Sequence, residues 1–120
     1  MMAHFDKYDP YSGGFRGPLS FKIEKADVGK PIAVGVNANG QIVKGNGNAN
    51  MLGVVIGHSP KNIGDIIDVM THGEIVEMTG VTAGTRLYGF DDGSINATKT
   101  GTPLGFTIEK ERFVVRVGQK

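Results

Sequence analysis

From Phe21 onward, apolar and polar positions alternate in short bursts. In FKIEK, Phe21 and Ile23 fall on one side and Lys22 and Glu24 on the other, the two-residue period of a half-buried strand. PIAVGV, QIVK, LGVVIG, DIIDVMT, EIVEM, RLYGF, SINAT, LGFTI and RFVVRV follow, separated by clusters of Gly, Asn, Asp or Pro. The pattern predicts about ten short strands. No stretch of ten or more residues sustains a 3.6-residue period, so helix should be near nil or confined to one short turn. The expected class is all-β, with a small barrel as the simplest way to hide the strand edges. Asn39-Gly40 and Asp92-Gly93 are the dipeptides that tight two-residue hairpins prefer, and His72-Gly73 is expected to close a third.

Residues 1–20 follow neither period. Phe5, Tyr8, Tyr11 and Phe15 are interleaved with Asp6, Asp9, Pro10, Ser12, Gly13, Gly14, Gly17 and Pro18. The Pro and Gly content argues against regular structure, yet a merely solvated tail rarely carries so many aromatics. An extended N-terminal arm over 1–20, followed by a β domain over 21–120, is the expected organisation.

The β region contains an internal repeat. VGKPIAVGVNANGQIVKGNGNANMLGVVIG, starting at Val28, runs parallel to AGTRLYGFDDGSINATKTGTPLGFTIEK, starting at Ala83. Gly29 answers Gly84, Gly40 answers Gly93, Ile42 answers Ile95, and Leu52-Gly53 answers Leu104-Gly105. Two copies are too few for a solenoid. They predict a pseudo-twofold barrel whose halves span about 28–80 and 83–117, each covering the open face of the other.

Composition narrows the chemistry. The 120 residues suit a single domain. Thirteen Lys and Arg against twelve Asp and Glu give a net charge of +1, no basic field for a nucleic-acid backbone. There is no cysteine, so disulfides, thiolate metal sites and a Cys nucleophile are excluded. No apolar run resembles a signal core or a spanning helix, so a protein made in a cytoplasm, without a membrane partner, is expected. Nineteen glycines punctuate the β-branched runs, as many tight turns require.

Candidate chemistry is sparse. His4, His58 and His72 match no metal-ligand spacing. Ser59, His58 and Asp65 or Asp68 can be assembled into a triad on paper, but there is no GxSxG elbow to present a nucleophile. The loop GNGNAN at 45–50 precedes a strand rather than a helix and lacks a following Lys. Asp91-Asp92-Gly93 has no further acidic ligands at calcium-loop spacing. Lipoyl and biotinyl carrier domains expose a Lys at a hairpin tip, where this chain has Met70-Thr71-His72-Gly73. No enzyme activity, metal or cofactor is expected.

Gly29, Pro31, Ile32, Val34, Asn39, Gly40, Ile42, Leu52, Gly53 and Val54 follow one plan, repeated more loosely by Gly84, Leu87, Asp92, Gly93, Ile95, Leu104, Gly105 and Phe106. This order of turn glycines and apolar positions resembles the small β-barrel and β-tulip head-decoration proteins of tailed bacteriophages, over about three quarters of the chain. The resemblance implies a virion structural protein on the outer capsid surface that clamps neighbouring major capsid subunits, as a homo-oligomer with a trimer favoured. Phe5, Tyr8, Tyr11, Phe15 and Arg16 would then form the capsid-binding arm, with Arg16 reaching a capsid carboxylate. A phage tail or fibre component, or a small β-type binding module, are the alternatives.

Overall fold

The computed structural model describes residues 14–117 except Ala49. Ten strands carry the fold, and one three-residue 3-10 turn, Lys25–Asp27, is the helical element among the described residues. The strands are β1 (Phe15–Pro18), β2 (Ile32–Val36), β3 (Ile42–Lys44), β4 (Met51–Val55), β5 (Ile66–Val69), β6 (His72–Glu77), β7 (Arg86–Gly89), β8 (Ile95–Asn96), β9 (Thr102–Glu109) and β10 (Arg112–Arg116). The all-β class read from the sequence is the class observed.

The strands form a pair β1-β5, a three-stranded sheet β3-β2-β4 and a five-stranded sheet β6-β10-β9-β7-β8, with every strand pairing antiparallel. Two single bridges join the smaller sheets: Val54 to Met70, and Leu19 to Ile42 in parallel. The first half of the chain is therefore a ring, running β3-β2-β4-β5-β1 and back through Leu19 to β3. The second half has the same order, β8-β7-β9-β10-β6. Adding five to each label of the first half gives the second.

The repeat extends to register. Val34 pairs with Gly53 just before a bulge in the β2-β4 ladder, and Leu87 pairs with Gly105 just before a bulge in the β7-β9 ladder. Val36 faces Ile42 as Gly89 faces Ile95. The turns repeat as well. Asn37 N–H donates to Gln41 O and Gly40 N–H to Asn37 O; Phe90 N–H donates to Ser94 O and Gly93 N–H to Phe90 O.

These bonds define three-residue loops with glycine in the left-handed region, φ +81° at Gly40 and +88° at Gly93. The two-residue turn predicted from Asn-Gly and Asp-Gly needs positive φ at both residues. Only the glycines have it here, so the longer, bulged loop forms instead.

Three boundaries move. The first half begins at β1, not at Val28, and the second begins at β6, so the repeating units are 15–69 and 72–116. EIVEM is the opening strand of the second unit rather than the close of the first. FKIEK is not a strand: Ile23 makes one bridge, exchanging two 3.0 Å hydrogen bonds with Lys61, and the chain then turns at Lys25–Asp27. Gly73 lies inside β6 with φ +96° and closes no hairpin.

Two cores result. Leu19, Ile23, Ile32, Val34, Ile42, Val55, Ile67 and Val69 fill the ring. Ala33, Met51 and Val54 turn outward from β2 and β4 and pack on Val76, Leu87, Ile95, Leu104, Phe113, Val115 and Val117 of the second unit. Strands β2 and β4 are thus buried on both faces, which is why PIAVGV and LGVVIG read as unbroken apolar runs. In β5, Ile67 and Val69 are buried while Ile66 and Asp68 are exposed, hence the alternation in DIIDV. Phe113, the largest fully buried side chain among the described residues, contributes roughly 3 kcal/mol of apolar burial.

The units also share backbone bonds. Ala33 N–H donates to Gly93 O at 2.9 Å, and Asn46 N–H to the Asp91 carboxylate at 3.1 Å. The loop of the second unit is thereby seated on the first.

Candidate binding surface

Phe5, Tyr8 and Tyr11 lie outside the described residues. Phe15 and Arg16 do not belong to an arm: both sit in β1, paired with Val69 and Asp68 of β5. Phe15 is half-buried against the ring core. Arg16 Nε donates to Asp68 Oδ1 at 2.8 Å, with both side chains substantially exposed, so the pair is worth at most about 1 kcal/mol. Arg16 is already engaged within its own chain.

Gly17 and Pro18 read as turn punctuation, and they hid a strand. Pro18 ends β1 opposite Ile66, a strand end being where a residue without an N–H is tolerated. Leu19 and Ser20 belong to the body too: Leu19 is fully buried, and its N–H donates to Asp65 O at 2.9 Å.

Where residues 1–13 join the body, Phe15 lines a groove of about 1010 Å³ together with Met51, Leu52, Arg86, Phe106 and Arg116. Arg86, Phe106 and Val114 are cross-strand neighbours on the outward face of the second sheet. His72 also lines the groove, and among the side chains described no carboxylate does. The ion pairs among the described residues are Arg16–Asp68 and Arg112–Glu109, so Arg86 and Arg116 belong to none. The result is an aromatic and apolar trough with two guanidinium groups, suited to an extended chain carrying carboxylates and rings.

A second groove, about 730 Å³, runs beside β5 and β6. Ile66 and Ile75, each about half exposed, stand in it with Lys61, Asp68 and Glu77. Its charges are of both signs.

The turn residues have structural work. Asn37 Oδ1 accepts from Asn39 N–H at 2.9 Å and Gln41 N–H at 3.0 Å. Asp92 Oδ1 accepts from Ser94 Oγ at 2.6 Å and from Ser94 N–H at 2.9 Å, and these bonds, the hydroxyl first, hold its carboxyl below the ordinary aspartate range. Asp65 accepts from Asn62 N–H at 2.8 Å, so it caps a turn rather than orienting a base. Arg86 and Arg116 were not singled out in the sequence. The available signal was their alternation with buried Leu87 and Val115, which turns both outward.

No family model matches the chain, and no curated protein matches it. A solved protein of Mycobacterium phage Patience has the same fold, with a TM-score of 0.74 over 98% of this chain and 96% of that one, at 21% sequence identity.

Proposed function

We propose that the chain is a virion structural protein of a tailed phage, seated on the outer face of the capsid and bridging neighbouring major capsid subunits against the pressure of packaged DNA. The observation that carries the proposal is the fold held in common, nearly end to end, with a protein of a phage. The repeat with its turn glycines, which resembles head-decoration proteins, supports the same reading.

In this reading the two-unit body supplies a rigid platform, and residues 1–13, with Phe5, Tyr8 and Tyr11, reach across the neighbouring subunit. Aromatic side chains bury large area at low entropic cost. Three copies associating around a local axis would make attachment multivalent, so modest single contacts sum to stable binding. The chain acts without catalysis or cofactor.

Purified protein mixed with undecorated heads and with immature shells, then sedimented, tests the proposal. Co-sedimentation with heads is the expected result, with a trimer in light scattering. Failure to bind any shell, or binding to isolated tails instead, overturns it.

A further inference from the structure

We propose that three copies of this chain associate through the outward face of the five-stranded sheet, the β6 side of one copy against the β7 side of the next. This rests on the three-copy association put forward above and names the surface that makes it.

The repeat singles out the face. The pair Ala33–Val54 of β2 and β4 stands in register where Arg86–Phe106 stands in β7 and β9, and Arg16–Asp68 of β1 and β5 stands where Ile75–Val114 stands in β6 and β10. In the first unit, Ala33 and Val54 are buried against the second unit, and Arg16–Asp68 meets water as an ion pair. In the second unit both counterparts are uncovered. Where the first unit exposes that ion pair, the second exposes an isoleucine at 50% and a partly buried valine.

Ile75, Val114, Phe106 and Arg86 are successive cross-strand partners over β6, β10, β9 and β7, so they form one row at right angles to the strands. Adjacent apolar side chains left open in this way mark a contact surface. Glu77 is exposed two residues beyond Ile75 on β6, on the same side of the sheet. Arg112, its neighbour on β10, is committed to Glu109 at 3.3 Å. The apolar row therefore has a carboxylate at its β6 end and a guanidinium at its β7 end.

A surface with opposite charges on its two sides fits itself head to tail. Rotation about an axis along the strands sets Glu77 of one copy beside Arg86 of the next, and turns Ile75, Val114 and Phe106 toward the axis. Width sets the number. Four strands at about 4.8 Å spacing make a strip about 14 Å wide, and three such strips stand about 4 Å from a common axis, close to half of the roughly 10 Å between packed sheets. Three rows of side chains then fill the middle.

The chain has no cysteine, so disulfide trapping reads the contact directly. In Glu77→Cys/Arg86→Cys the two positions of one copy lie three strand spacings apart, about 14 Å and beyond the roughly 7 Å that a disulfide spans between Cα atoms. Only neighbouring copies can be joined. Mild oxidation should give a covalent product of three chains on a non-reducing gel. In sedimentation the wild type should be a trimer, and Ile75→Asp a monomer at the same concentration. Arg86→Glu should raise the concentration needed for assembly roughly ten-fold or more, and Glu77→Arg/Arg86→Glu should restore it. If Ile75→Asp fails to fold, the cysteine pair and the charge exchange decide. A wild type monomeric at every concentration, a covalent product that stops at two chains, or full assembly of Ile75→Asp overturns the proposal. No head is present in these assays. Association through this face by a protein that binds no shell would overturn the capsid reading alone, and a protein that binds shells as a monomer would overturn this contact alone.

Discussion

Gly53 in β4 and Gly105 in β9 occupy the same point of the two repeats, each paired with a buried residue of the preceding hairpin strand, Val34 and Leu87, immediately before a bulge. At both, the following strand closes in on the missing side chain. A methyl at Gly53 would meet Met70 O at 2.6 Å and the Val69 side chain; at Gly105 it would meet Phe113 Cε1 at 2.8 Å and the Val114 carbonyl. Gly53→Ala and Gly105→Ala should each destabilise by about 2 to 3 kcal/mol, read as a lowered urea midpoint with an unchanged slope. A midpoint equal to the wild type would show that the strands can part without loss.

The ring of the first unit closes through Leu19, which is fully buried and bridges Ile42. Leu19→Ala should cost about 2 to 5 kcal/mol. Deleting residues 1–13 should leave the β circular dichroism and the cooperative melt intact, whereas deleting 1–20 removes β1 and Leu19 together and should abolish the melt. Equal behaviour of the two deletions would return the body's boundary to residue 21.

Thr107 is a buried polar residue at 2% exposure. Its hydroxyl donates to Thr82 O at 2.5 Å and accepts from Thr85 N–H at 2.9 Å, tying the approach to β7 onto β9. Thr107→Val keeps the volume and strands both partners, at about 1 to 3 kcal/mol. Thr107→Ser should retain most of the stability, and a Ser variant as weak as the Val variant would assign the effect to the methyl group instead.

Asp92 sets a pH dependence. Its folded pKa is lowered by Ser94, so the stability it adds is complete above the unfolded aspartate value of about 3.9 and is lost as pH falls through the folded value beneath it. The gap in melting temperature between wild type and Asp92→Ala should therefore hold steady from neutral pH down to about pH 5 and narrow below about pH 4. A gap that does not narrow in acid would place the contribution in the turn geometry rather than in the charge.

Class, strand number and repeat were legible because period-two alternation and turn glycines are local signals, and the pairs Gly40/Gly93, Ile42/Ile95 and Gly53/Gly105 all hold in three dimensions. The start of the body was not. Phe15–Pro18 has the composition of a loop and becomes a strand only because β5 offers a partner edge, about fifty residues later in the chain. FKIEK erred the other way: its alternation is correct for burial, with Ile23 inside and Lys22 and Glu24 out, yet no strand lies beside it for more than one residue. Arg16, expected to reach a capsid carboxylate, meets Asp68 within its own chain, a partner too distant in sequence to be visible there. The groove arginines became visible only once β7 and β10 were placed on one sheet.

The position of β1 also decides how a pull would be borne. A load arriving through residues 1–13 enters at Phe15 and, drawn along the strand axis, tries to slide β1 past β5 rather than peel it away. All four registered pairs, Phe15–Val69 to Pro18–Ile66, must then yield together, with Leu19 wedged in the ring behind them.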